Sequence, residues 1–149
     1  MPDTPPTPAA RPDAALLALR PAVPAATAAA GSGTASTVGD FLHGTLRPVL
    51  KLQNGLLLAL VADFILDHHV PLAKAEPTEQ RRLLTELLGR NTKLRYTLLG
   101  LLTGAFTAAE YAFYRAHRAE LNRRLLDLAR ERVLSQLSAV VELLARPTS

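Results

Sequence analysis

From about residue 40 onward, apolar side chains recur at steps of three and four, the spacing that lines one face of an α-helix. No stretch alternates with a period of two, and neither a run of β-branched residues nor an internal repeat is visible. The pattern predicts an all-α fold, a small bundle of about four main helices. The first runs from about Leu46 to about His69, with Pro48 tolerable only near its start because proline lacks the N–H a later turn needs. Val49, Leu52, Leu56, Leu60 and Phe64 form one face, and Leu50, Leu57, Val61 and Ile65 widen it, as in a helix buried on more than one side. Pro71 ends it. Pro77 or Thr78 opens the second helix, whose apolar side is Leu83, Leu84, Leu87 and Leu88; Gly89 suits a left-handed C-cap. Asn91 or Thr92 caps the third. There Leu94, Leu98, Leu101, Leu102 and Ala105 make the stripe, and Gly100 and Gly104, one turn apart, predict a groove for close backbone approach.

The fourth helix, about Ala108 to about Ala145, opens on the strongest local signal in the chain. Thr107 and Glu110 have capping-box spacing: the hydroxyl accepts from the Glu110 N–H while the carboxylate reaches back to the Thr107 N–H. Phe106 and Tyr111 have the positions of a hydrophobic staple. Leu121, Leu125 and Leu128 begin its stripe, with Leu126, Ala129, Val133, Leu137, Val140 and Leu144 on the adjoining row. Roughly 38 residues at 1.5 Å each span about 57 Å, too long for a compact bundle. The C-terminal half is therefore expected either to fold back through a break near Ser135 or to meet a second copy, with Leu126, Val133, Leu137, Val140 and Leu144 as the candidate interface.

Composition divides the chain in two. Residues 1–39 hold seven of the eleven prolines and none of the aromatics. They are expected to form a disordered Pro/Ala-rich arm before a helical bundle domain over residues 40–149. Inside the arm, Asp13 to Arg20 (DAALLALR) is a short helical patch that forms only by docking, since eight residues do not hold a helix alone in water. The formal net charge is +4; Arg11 and Arg20 balance Asp3 and Asp13 in the arm, so the bundle carries the whole excess. That is a mild bias toward acidic partners, well short of a dedicated nucleic-acid stripe. Cysteine is absent, which removes disulfides and thiolate chemistry. The N-terminus lacks a basic region followed by an apolar run, and the longest apolar run, Gly55 to Ala62, falls short of the roughly 20 residues of a membrane span. A soluble, cytoplasmic protein without a membrane span is expected.

Three clusters have the residue types of a site. Asp63, Asp67, His68 and His69 have metal-ligand chemistry, but adjacent histidines point about 100° apart on a helix, and a polar helix terminus explains them equally. Glu110, Tyr114 and His117 are the parts of a general acid–base site, against a capping duty for Glu110 and a core-margin duty for the tyrosine. Arg115, Arg118, Arg123, Arg124, Arg130 and Arg132 have the chemistry to track phosphates, yet Glu120, Asp127 and Glu131 are interleaved, as on a solvated face. No phosphate-cradling loop, serine elbow, zincin motif or dinucleotide fingerprint is present, and no cofactor is expected.

Thr45 to Asn54 (TLRPVLKLQN) and Leu94 to Arg124 (LRYTLLGLLTGAFTAAEYAFYRAHRAELNRR) resemble a family of short, uncharacterised bacterial helical proteins. The shared pattern is an LRPxxKLQN element, then GxxxGxFTxxEYxxY, then LN-R. The resemblance implies a small helical body without an assigned activity. Some family members carry the label glyoxalase. That label implies a βαβββ metal-dependent lyase, whose strands and spaced His/Gln and Glu ligands this chain lacks, so the function is not carried over. The expected function is a non-enzymatic helical interaction module that self-associates or binds another protein through its apolar stripes. The alternatives are a basic nucleic-acid-binding accessory protein and, third, a small enzyme using Glu110, Tyr114 and His117.

Overall fold

The computed structural model describes residues 11–21 and 37–146. Most of the expected arm, residues 1–10 and 22–36, lies outside them. Among the described residues the regular structure is entirely helical. The elements are α1 (Asp13–Leu19), α2 (Val38–Phe41), a π-helical turn (Leu42–Leu46), α3 (Arg47–Leu52), α4 (Asn54–Asp67), α5 (Pro77–Arg90), α6 (Thr92–Thr103), α7 (Ala108–Ala116), α8 (Arg118–Ser135) and α9 (Leu137–Ala145).

The long helices of the sequence pattern are broken. The first begins eight residues earlier than expected, because Thr37 caps it by accepting from the Asp40 N–H at 3.0 Å. It then bends by 63° at Gln53. The fourth breaks at His117 and again at Gln136. All three break residues lie near the bridge region, Gln53 at φ −90°, ψ 6°, His117 at φ −125°, ψ 32° and Gln136 at φ −120°, ψ 31°. Two of the breaks hold each other. Asn54 Nδ2 donates to Gln136 Oε1 at 2.9 Å, and Gln136 Nε2 returns a hydrogen bond to Asn54 Oδ1 at 2.7 Å. Gln53 Nε2 donates to the Leu101 carbonyl at 3.1 Å, tying the same bend to α6.

These joints let α9 fold back along α4, its main packing partner, while α8 packs on α5 and α6. Phe41, Leu46, Leu57, Val61, Ile65, Leu98, Leu102, Leu121 and Leu125 form the middle of the core. The proposed interface stripe is consumed there. Val133 and Val140 are fully buried in the chain's own core, and Leu126, Leu137 and Leu144 are half-buried against it. The fold-back, one of the two outcomes expected for this segment, is the one found.

Local signals fare unevenly. Asn91, not Thr92, caps α6, accepting from the Leu94 N–H at 2.9 Å. Gly89 lies inside α5 rather than at a left-handed cap. Gly100 is exposed, and a Cβ there would meet open space, so the Gly100/Gly104 pair makes no packing groove. Phe106 meets Phe41 and Tyr114 edge-on instead of stapling Tyr111, which is exposed.

The end of α4 is a Schellman motif: the Val70 N–H reaches the Ile65 carbonyl at 3.0 Å and the His69 N–H reaches Leu66 at 3.2 Å. His69 takes the left-handed position, φ 52°, that glycine fills without strain. His69→Gly should therefore raise the unfolding free energy by about 0.5 kcal/mol, the relieved strain exceeding the extra unfolded-state entropy, read as a higher urea midpoint with m unchanged. A lower midpoint would show that the imidazole itself stabilises the turn.

Candidate functional site

The densest polar cluster in the described residues is centred on Glu110. It follows from the capping box, both halves of which form: Glu110 N–H to Thr107 Oγ1 at 3.2 Å, and Thr107 N–H to Glu110 Oε1 at 2.8 Å. Capping turns the carboxylate back toward the start of α7, where it is only 5% exposed. Two further partners arrive from distant sequence. Thr45, in the π-helical turn, donates its hydroxyl to Oε2 at 2.9 Å. Arg20 clasps both oxygens, Nη1 to Oε2 at 2.6 Å and Nη2 to Oε1 at 2.5 Å.

Arg20 is the last grip of a short segment. Its Nη2 also donates to the Ala105 carbonyl at 3.0 Å. Arg11 donates to the Gly104 and Phe106 carbonyls at 2.8 and 2.9 Å. Asp13 accepts from the Ala108 N–H at 3.3 Å, adding a carboxylate at the positive end of α7. Thus residues 11–20 strap the α6–α7 connection. α1 itself buries no residue, and Leu17 and Leu19 face outward. Polar contacts hold the strap.

The electrostatics oppose one another. Burial alone would raise the Glu110 carboxyl, but the Arg20 guanidinium, the Thr107 N–H and the Thr45 hydroxyl together outweigh it and hold the group below its ordinary value. A carboxylate offers about four lone-pair positions, and four donors fill them here. Glu110 is therefore charged at neutral pH with nothing left to accept a substrate proton.

The acid–base trio is spread along α7 and its C-cap. Tyr114 is buried and donates its hydroxyl to Asn122 Oδ1, its ring meeting Phe106 edge-on and the Arg118 guanidinium 5.9 Å from its centroid. Burial pushes the phenol up, against the lowering effects of Arg118 and Asn122. His117 is exposed at the α7–α8 break, stacked on Phe113 with Nδ1 3.0 Å from the Phe113 carbonyl. Each of the three faces its own partners.

The other candidates are also placed. Asp63 and Asp67 are exposed, and His68 stacks on Phe64 with Nδ1 3.0 Å from its carbonyl. Among the described residues no group of three or more His, Cys, Asp or Glu is arranged to hold a metal ion. Arg115, Arg118, Arg123 and Arg124 are exposed; Arg130 pairs with Asp127 at 3.4 Å, and Arg132 meets Asn54 Oδ1 at 3.4 Å. No single helix among the described residues is long and apolar enough to cross a membrane.

Sequence reasoning found Thr107 and Glu110 but missed Arg20 and Thr45 as partners of Glu110, Asn122 as that of Tyr114, and Gln136 as that of Asn54. Arg20 had one signal, a cation ending a short helical patch that forms only when docked. The two stretches that carry the family resemblance turn out to supply these joints: Thr45, Gln53 and Asn54 from one, Thr107, Glu110, Tyr114 and Asn122 from the other. The described residues thus define an all-α protein braced by part-buried polar contacts between its helix breaks and by the buried cluster at Glu110. No protein-family model, curated protein or solved structure matches the chain.

Proposed function

We propose that this protein is a non-enzymatic helical interaction module that self-associates, and that the outward face of α4 makes the contact. One observation carries the reading. Leu56 and Leu66 are 59% and 42% exposed, and with Ala59 and Asp63 they fall within about 80° of one another around the helix. An antiparallel two-fold pairing of this face sets Leu56 against Leu66 of the other copy and Asp63 against Ala59. Every apolar side chain then gains a partner, and no carboxylate faces its twin. The stripe on α8 and α9, already packed internally, is not needed for this contact.

Light scattering across a concentration series tests it. The wild type should approach twice the chain mass, and Leu56→Glu should stay at one chain mass while keeping the wild-type helical circular-dichroism spectrum, since the site is exposed. A wild type that remains at one chain mass throughout would sink the proposal. A second reading, a nucleic-acid accessory protein, rests on Arg115, Arg123 and Arg124, which are exposed and make no ion pair among the described residues. It requires oligonucleotide binding that weakens steeply with added salt.

A further inference from the structure

Between α3 and α8 lies an open groove of about 390 Å³. Its apolar floor is Leu50, buried, and Leu128, half-buried. Arg47 from α3 and Arg132 from α8 both line it, with Ser135 and Gln136 at the end of α8. The two arginines reach the same groove from different helices. Burial, and then the charge of Arg47, push Arg132 below the ordinary arginine value. Neither arginine forms an ion pair among the described residues. Arg132 has one long contact to a neutral amide, and Glu131, exposed in the groove lining, pairs with neither.

Two like charges brought together without a counter-charge cost stability. The backbone beneath Arg132 is pinned at the end of α8. The Arg132 carbonyl accepts from Ser135 Oγ at 2.8 Å and from Gln136 Nε2 at 3.0 Å, and Gln136 is in turn fixed by Asn54. Two guanidiniums beside an apolar floor match an oxyanion with a small apolar body: the guanidiniums supply charge-assisted hydrogen bonds, and the floor takes the substituent. We propose that this groove binds a small organic oxyanion, a phosphate monoester or a carboxylate, between Arg47 and Arg132.

The test is thermal unfolding of the full chain with phenyl phosphate, benzoate, inorganic phosphate or chloride at matched ionic strength. One of the two organic anions should raise the melting temperature above the chloride value, and by more than inorganic phosphate does; which of the two does so identifies the head group. Arg47→Gln should weaken that ligand about tenfold or more, as expected for a lost charge-assisted bond, while raising the ligand-free melting temperature because the repulsion is gone. Arg132→Gln should weaken it likewise, and Arg81→Gln, on the far exposed side of α5, should leave it unchanged. The proposal fails if neither organic anion exceeds chloride. It fails equally if the ligand shift survives both Arg47→Gln and Arg132→Gln. Because Arg47 is exposed, its variant remains folded and the result decisive.

Discussion

Glu110→Ala should lower the unfolding free energy by about 3–5 kcal/mol, the range for removing one partner of a buried ion pair. Three losses combine. The Arg20 guanidinium, already carrying one buried Nε without a partner among the described residues, loses its counter-charge. The Thr107 N–H and the Thr45 hydroxyl lose their acceptor. Residues 11–20 lose their strongest attachment, so hydrogen exchange should reveal faster exchange in α1 than elsewhere. Thr107→Ala removes half of the cap and should cost about 1 kcal/mol. Urea denaturation measures both. If Glu110→Ala costs no more than Thr107→Ala, the ion pair adds nothing beyond the cap.

The pH dependence has a definite sign. The Glu110 carboxyl sits below its ordinary value of 4.5 when folded, so between the two values the unfolded chain binds more protons. Its contribution is therefore complete above pH 4.5 and is lost as pH falls through the folded value. In Glu110→Gln this part of the acid slope should vanish.

Val140→Asp should cost about 4 kcal/mol or more, at the severe end for single substitutions, because it places a charge at a fully buried position between α9 and α4. Leu137→Asp, at a half-buried position, should cost less. Denaturation and light scattering read together separate the two roles this stripe was expected to choose between. Lost stability at the wild-type mass fits internal packing. Lost mass at wild-type stability would return the stripe to an interface.

What was legible in the sequence was local. The caps at Asn91 and Thr107 and the proline that opens α5 depend on neighbours within four residues, and all form helices near the expected places. The breaks at Gln53 and Gln136 are held together by Asn54 and Gln136, 82 residues apart, and periodicity runs through both; only the excess length of the fourth helix pointed to the second, as a break near Ser135. The same distance problem hid the site. Glu110 showed its cap, three residues away, but not Arg20 or Thr45, which reach it across 90 and 65 residues. An uninterrupted stripe also gave no measure of how much apolar surface the chain covers by itself. That is why Val133 and Val140 read as spare surface when they are core.

The strap has a consequence for how the protein is made. Arg20 leaves the ribosome 90 residues ahead of Glu110. At about 5–20 residues per second, roughly 5–20 s pass before its partner exists. For that interval the segment that later closes over the α6–α7 connection has nothing to close over, so docking is not among the first events of biogenesis.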